Sequence, residues 1–111
     1  MSDRADWIAG LQETAAGIDR GARIPYRVVF KHGTLEAGLY TPGASDLQQP
    51  HTRDEAYVVA AGNGTFVRDN ERVPFAPGDF IFVPAGMAHR FEDYSADLAV
   101  WVVFYGPEGG E

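Results

Sequence analysis

Short runs of apolar residues, separated by Gly, Pro, Asn and Asp, fill the chain after its first quarter. Turn-forming residues interrupt these runs roughly every 8–12 positions, a spacing typical of an all-β sandwich or barrel. Gly62-Asn63-Gly64 is the clearest hairpin signal, because these residue types accept the positive φ angles of a tight turn. The pattern predicts eight or nine short strands, the clearest over residues 28–30, 35–40, 55–61, 65–68, 73–75, 80–83, 89–91 and 98–105.

A helical repeat precedes the predicted strands. Four apolar residues follow one another at spacings of three to four positions: Trp7, Leu11, Ala15 and Ile18. Such a repeat predicts one face of an amphipathic helix, which we place over residues 3–16 with Ser2 or Asp3 as its cap. The chain is therefore expected to divide into an N-terminal helical segment, residues 1–21, packed on a single barrel domain, residues 22–111.

The last predicted strand, Leu98 to Tyr105, is apolar at every position. A strand with one face in water alternates apolar and polar residues, so both faces of this strand must be covered. The barrel core covers one face, and a single short helix can cover only part of the other. The remaining apolar surface predicts a homodimer.

Composition narrows the range of functions. The 111 residues suffice for one domain, and the net charge of −7 opposes contact with a phosphate backbone, so no nucleic-acid partner is expected. The absence of cysteine excludes disulfides, thiolate metal ligands and cysteine nucleophiles. No signal peptide is recognisable at the start, and no apolar run approaches the ~18 residues of a membrane span. We expect a cytoplasmic protein with no membrane partner.

Candidate metal ligands occupy two stretches of the chain. Gln49 and His51 are two residues apart, so on an extended strand their side chains point to the same face. Glu55 begins the next predicted strand and can approach them across a hairpin, and His89 follows the turn at 84–86. Two imidazoles, one carboxylate and one carboxamide oxygen suit Fe, Mn, Zn, Ni or Co, and these ligand types do not choose among the metals.

The spacing of these residues resembles the two motifs of the cupin superfamily. The second motif, with Gly, Pro, Gly, His and Asn at fixed spacings, fits at Gly78, Pro84, Gly86 and His89. Only its last position departs, because Asp93 stands in place of Asn. The first motif, built on HXH followed by Glu and Gly, fits at His51, Glu55 and Gly62, with Gln49 in place of the first histidine.

The resemblance covers roughly residues 26–105 and implies a double-stranded β-helix, or jelly-roll barrel, here with a short N-terminal α-helix. It also implies dimers and a metal in the barrel mouth, bound by His51, Glu55 and His89. In type I phosphomannose isomerase, a zinc-dependent cupin relative, a glutamine two residues before this histidine binds the metal through its oxygen. Gln49 is accordingly expected to be the fourth ligand, with a position just outside the ligand set or a plain loop residue as the alternatives.

Several functions suit such a centre. A metal with open positions binds water, O2 or the oxygens of a small organic substrate, which fits oxygenase, isomerase or lyase chemistry. The alternatives are a non-catalytic module that binds or senses a metal or small ligand, and a metal-free barrel. Five side chains are candidates to line a substrate pocket, with plain barrel core as the competing assignment: Tyr57, Phe82, Met87, Phe91 and Trp101. Tyr57 or His32 would then serve as acid or base.

Overall fold

The computed structural model describes residues 5–111, which form one short helix and eight strands. In chain order the elements are α1 (Leu11–Ala16), β1 (Tyr26–His32), β2 (Leu35–Tyr40), β3 (Asp54–Ala61), β4 (Gly64–Arg68), β5 (Glu71–Phe75), β6 (Phe80–Val83), β7 (His89–Glu92) and β8 (Ala99–Tyr105). Each predicted strand is present. The all-β prediction with a short N-terminal helix is confirmed.

The strands form two antiparallel sheets that enclose the core. The larger sheet has the order β1-β2-β8-β3-β6, and the smaller has the order β5-β4-β7. Aromatic rings fill the space between them, with the ring of Phe91 4.9 Å from Phe66, 5.1 Å from Tyr57 and 5.4 Å from Phe75 between centroids. The fully buried side chain of Tyr57 thus extends from a packed aromatic core, which fixes its position.

The apolar strand β8 lies in the middle of the larger sheet, as its lack of polar residues requires. Val100 and Val102 point into the barrel and are buried. Trp101 points to the opposite, outer face, where it packs against a small cluster formed by Ile18, Leu39 and Ala99. The helix and the residues that follow it therefore cover one part of the outer face.

The predicted helix over residues 3–16 is wrong in its first part. In the described residues the helix begins at Leu11, after Gly10 in an extended conformation, and the predicted caps Ser2 and Asp3 lie outside the described range. Trp7 is 75% exposed, so this end of the apolar repeat has no surface to pack on. The described part of the chain contains no helix that is long and apolar enough to span a membrane.

Candidate metal centre

The structure brings three of the predicted ligands together. His51 lies in the loop before β3, Glu55 is on β3, and His89 begins β7 in the other sheet. Their ligand atoms all lie within 4.8 Å of one another. The backbone N–H of Gly86, in the turn before His89, donates a hydrogen bond of 2.7 Å to the carbonyl of His51 and so joins the two motif segments.

The geometry of this triad suits a common metal ion. Glu55 Oε1 lies 3.2 Å from His89 Nε2 and 3.7 Å from His51 Nε2. Two atoms bound to one ion at about 2.0–2.2 Å are separated by roughly 3–3.6 Å in octahedral or tetrahedral geometry. The separations between Glu55 and the two histidines are therefore close to those of ligands that share an ion.

Glu55 carries a buried charge that an ion would balance. Its side chain is 1% exposed, and its buried Oε1 makes no hydrogen bond of good geometry within the described residues, although it lies 3.2 Å from His89 Nε2. A buried acceptor without a partner costs free energy, and a buried negative charge costs more. A divalent cation between the carboxylate and the two imidazoles would bind the buried oxygen and balance its negative charge. The residues present therefore fit a metal.

His89 presents the correct nitrogen to the site. Its Nδ1 lies 2.9 Å from the Met87 carbonyl, which can only accept, so Nδ1 carries a proton and Nε2 faces Glu55. Burial alone would lower the pKa of His89, but the contact with Glu55 and the hydrogen bond to Met87 outweigh it and raise the pKa. A metal ion at Nε2 would take the place of the proton held there.

The environment of His51 favours the neutral form of its imidazole. Its ring is half-buried and packs edge-on against Phe104, with the ring centroids 4.8 Å apart. Burial lowers the pKa of His51, and the nearby charge of Glu55 opposes this only in part. The neutral imidazole, which is the metal-binding form, is therefore favoured at neutral pH.

Gln48, rather than the predicted Gln49, enters the site. Gln49 is exposed, whereas Gln48 Oε1 lies 3.2 Å from His51 Nε2 and accepts a hydrogen bond of 2.9 Å from the Tyr57 hydroxyl. The prediction assumed an extended strand before His51, but this segment is a loop. Asp46 Oδ1 accepts a hydrogen bond from the Gln48 N–H at 3.2 Å, a local turn to which the two-residue alternation of a strand does not apply.

Tyr57 adds a hydroxyl to the centre. Its oxygen lies 3.0 Å from His89 Nε2, and the side chain is fully buried. Burial raises the pKa of Tyr57 well above its usual value, and the charge of Glu55 adds to the effect. The phenol therefore stays protonated at neutral pH and acts as a hydrogen-bond donor.

A cavity of about 310 Å³ opens beside the ligands, between the larger sheet and the loop before β3. It is lined by Ile24, Tyr26, Glu36, Tyr40, Gln48, His51, Glu55, Val102 and Phe104. Its volume is at the lower end of the range for small-molecule sites.

Two of the predicted pocket residues are placed elsewhere. Phe82 pairs with Ala56 and Trp101 pairs with Val58, whereas Glu55 and Tyr57 occupy the alternate positions of β3. Because side chains alternate along a strand, Phe82 and Trp101 point to the outer face and cannot line the cavity. The remaining three do not line it either: Phe91 and Tyr57 are buried in the core, with the Tyr57 hydroxyl beside His89, and Met87 packs against that core.

Strands β1 and β2 form one side of the cavity, which the sequence pattern did not predict. Tyr26 on β1 donates a hydrogen bond of 3.0 Å to Glu36 Oε2 on β2, at the side of the cavity. Glu36 pairs with Phe104, and Gly38 pairs with Val102, so both β2 residues face inward. Glu36, Gly38 and Tyr40 occupy alternate positions of β2 and therefore share one face. The sequence shows this alternation, but only the pairing of β2 with β8 shows that the shared face points into the cavity.

Comparison with known proteins identifies the class. Residues 38–105 match the family model described as the cupin domain, and this chain belongs to that family. The chain is 39% identical over 85 residues to an uncharacterized protein of Streptomyces coelicolor, a match that covers 75% of this chain and 81% of the relative. The cupin resemblance read from the motifs is thus confirmed.

Two further similarities concern the fold and a short stretch of the sequence. A cupin 2 conserved barrel domain protein from Salinispora arenicola superimposes with a TM-score of 0.69 at 20% identity, covering 89% of this chain and 87% of that one. This likeness confirms the jelly-roll barrel. A shorter match, 46% identical over 46 residues, links the chain to acireductone dioxygenase of Drosophila melanogaster and covers 37% of this chain and 25% of that enzyme.

Proposed function

We propose that this cupin is a divalent-metal-dependent enzyme that acts on a small organic molecule in the barrel cavity. The observation that carries the proposal is the buried Oε1 of Glu55, which makes no hydrogen bond of good geometry within the described residues and lies 3.2 Å from His89 Nε2 and 3.7 Å from His51 Nε2. Among oxygenase, isomerase and lyase chemistry, the oxygenase class is favoured. Two histidines and one carboxylate with open positions are the ligand set of non-haem Fe(II) oxygenases, and the short similarity to a dioxygenase agrees with that set.

A divalent ion held by this set would supply Lewis acidity and, if it is redox-active, chemistry with O2. The residues of the chain supply position and environment. The Met87 carbonyl orients His89, and the protonated Tyr57 holds a hydroxyl donor beside the ligand atoms. Val102 and Phe104 give the cavity an apolar wall that favours a small organic molecule over water.

A non-catalytic module that binds or senses a small ligand is the second candidate. The observation in its favour is the scarcity of bases around the described cavity. Burial raises the pKa of Tyr26 and of Tyr40, so both stay protonated at neutral pH. Apart from the metal ligands, Glu36 is the one carboxylate in the described lining. This set suits binding or oxidation better than acid–base catalysis.

We also propose that the chain forms a homodimer through the outer face of the larger sheet. Phe80 is 70% exposed and Phe82 is 42% exposed on that face, outside the part that Trp101 and the helix cover. Exposed apolar patches of this kind are typical of protein interfaces. The cytoplasmic location stays a prediction.

Elemental analysis of natively purified protein tests the metal proposal. We expect close to one divalent ion per chain, and we expect the double variant His51→Ala/His89→Ala to lose it, because two nitrogen donors are removed. His32→Ala is the matched control, since His32 is exposed at the end of β1 and should leave the metal content unchanged.

Wild-type protein that takes up none of Mn, Fe, Ni and Zn at micromolar concentration would contradict the proposal. Iron in the native protein would favour O2 chemistry, which oxygen consumption with a panel of small organic molecules then tests. Ligand binding without turnover across that panel would favour the non-catalytic module.

A further inference from the structure

We infer that the side-chain oxygen of Gln48 is a fourth metal ligand and that Asp46 is the residue that positions it. The inference rests on the metal centre proposed for His51, Glu55 and His89. It concerns a residue one place away from the position at which the cupin motif has its first histidine.

The Gln48 oxygen lies at a ligand-like distance from His51. Gln48 Oε1 lies 3.2 Å from His51 Nε2, the same separation as that between Glu55 Oε1 and His89 Nε2. Both values match the separation of roughly 3–3.6 Å between two ligands of one ion at ordinary bond lengths. The carboxamide oxygen therefore lies beside His51 at the separation expected of a further ligand.

Hydrogen bonds determine the orientation of the Gln48 amide. Gln48 Nε2 donates a hydrogen bond of 2.8 Å to Asp46 Oδ2, and a carboxylate can only accept. The Tyr57 hydroxyl donates to Gln48 Oε1 from the opposite side at 2.9 Å. The contact with Asp46 requires the nitrogen to face the carboxylate and so turns the oxygen towards the metal site, and the contact with Tyr57 fits this orientation.

Asp46 is itself held in place by several hydrogen bonds. Besides the two groups of Gln48, its carboxylate accepts the Tyr40 hydroxyl at 2.5 Å and the backbone N–H of Phe91 at 2.8 Å. Tyr40 ends β2 in the larger sheet, and Phe91 is on β7 in the smaller sheet. Asp46 is thus fixed by both sheets, and its role is to hold Gln48 in place rather than to bind the metal itself.

The consequence is a ligand set of two nitrogens and two oxygens. Carboxylate and carbonyl oxygens suit harder ions such as Mn2+, whereas an additional imidazole favours Zn2+. With Gln48 in place of a third histidine, the centre should bind Mn2+ and Fe2+ relatively better than a three-histidine site would.

The test measures the dissociation constant for Mn2+ by the loss of the free-ion electron paramagnetic resonance signal. Gln48→Leu removes the oxygen donor and should weaken Mn2+ binding by at least about tenfold. Gln49→Leu is the matched control, because its side chain is exposed, and should stay within about twofold. Gln48→His should retain the metal and shift the preference from Mn2+ towards Zn2+ by about tenfold.

The role of Asp46 is tested with Co2+, whose visible absorption reports its coordination. Asp46→Asn replaces an acceptor with a group that can donate, so the Gln48 amide is no longer fixed. We expect weaker Mn2+ binding and a Co2+ spectrum that changes in the same direction as in Gln48→Leu. A cooperative thermal unfolding transition in the presence of a chelator is the control that Asp46→Asn and Gln48→Leu are folded. A Co2+ spectrum identical to that of the wild type would contradict the positioning role.

Failure of this inference differs from failure of the proposed function. If wild-type protein binds Mn2+ and His51→Ala/His89→Ala does not, the metal centre stands. If Gln48→Leu then binds Mn2+ as tightly as Gln49→Leu does, Gln48 is not a ligand and the inference is overturned. If wild-type protein binds no metal at all, the proposed function and the inference fall together.

Discussion

At the scale of single residues, the centre combines polar groups that are costly to bury with the hydrogen-bond partners that offset this cost. Tyr57 is the clearest case, because its hydroxyl is buried between Gln48 and His89. Each buried hydrogen bond adds about 1 kcal/mol, and a partner left without one costs more. The hydroxyl therefore affects the stability of the metal-free protein as well as the order of the site.

Tyr57→Phe should lower the free energy of unfolding by about 1–2 kcal/mol, because the Gln48 oxygen loses its buried donor. Tyr105→Phe, at a half-buried position on the outer face of β8, is the control and should change it by less than about 0.5 kcal/mol. Urea denaturation in the presence of a chelator measures both. Equal stability of the two variants would mean that the Tyr57 hydroxyl contributes nothing to the fold.

The sequence allowed His51, Glu55 and His89 to be predicted, because the motif fixes their spacing around two turns. Gln48 could not be predicted. Whether residue 48 or 49 points inward depends on the conformation of a loop, which a hydrogen bond from the Gln48 N–H to Asp46 decides. A local side-chain contact of this kind has no periodic signal.

At the scale of secondary-structure elements, α1 and the residues after it matter by covering part of the outer face. Ile18 is buried against Leu39 and Ala99, whereas Trp7, at the other end of the same apolar repeat, is exposed. The apolar repeat alone does not distinguish the two residues. The difference arises because Gly10 is extended and the helix starts only at Leu11.

Ile18→Ala should therefore lower the free energy of unfolding by about 2–4 kcal/mol, through lost burial and a cavity beneath the helix. Trp7→Ala removes a larger side chain but should change it by less than about 0.5 kcal/mol, because that side chain is mostly in water. Chemical denaturation compares them directly. A larger effect for Trp7→Ala would contradict the helix boundary described above.

A charge cluster joins the strands of the smaller sheet. Glu92 on β7 accepts hydrogen bonds from Arg72 on β5 and from Arg90, and the Arg72 contact is 2.5 Å. These hydrogen bonds, that of Arg72 first, lower the pKa of Glu92. Since the folded pKa is below the unfolded one, the cluster stabilises the fold above the ordinary Glu pKa and loses this effect as the pH falls.

Glu92→Gln should accordingly unfold at a lower temperature than the wild type at pH 7. The gap should close as the pH falls below about 4, where the wild-type carboxyl also becomes neutral. High salt should narrow the gap at pH 7, because the cluster is partly exposed. Thermal melts across pH and salt check this, and a gap that widens in acid would contradict it.

The sequence allowed the positions of the strands to be predicted, but not which side chains point into the barrel. Runs of β-branched and aromatic residues between turn residues located every strand. The orientation of Phe82 and Trp101 depended on register, since a shift of one residue moves a side chain to the other face. Only the pairing of β3 with β6 and β8 shows that both point outward.

At the scale of the whole molecule, the two faces of the larger sheet differ. Its inner face and the loop before β3 enclose the cavity beside the triad, and part of its outer face is apolar and exposed. Phe80 lies on that face, whereas Val28, on β1, is 41% exposed and pairs with the inward-facing Gly38. Variants at Phe80 and at Val28 therefore distinguish a specific effect on the outer face from a general effect of losing exposed apolar surface.

Light scattering at micromolar concentration should report a dimer for the wild type and a monomer for Phe80→Asp, because a buried charge without a partner opposes association. Val28→Asp should remain a dimer. A monomeric wild type, or dissociation by Val28→Asp alone, would contradict an interface on the outer face.

Anomalous diffraction from a crystal grown with Mn2+ is the most direct test of the central claim. The metal account predicts one dominant anomalous peak, within bonding distance of Glu55 Oε1 and of the Nε2 atoms of His51 and His89. The peak should disappear in His51→Ala/His89→Ala. A well-diffracting crystal with no peak at this position, or with its dominant peak elsewhere, would contradict the account.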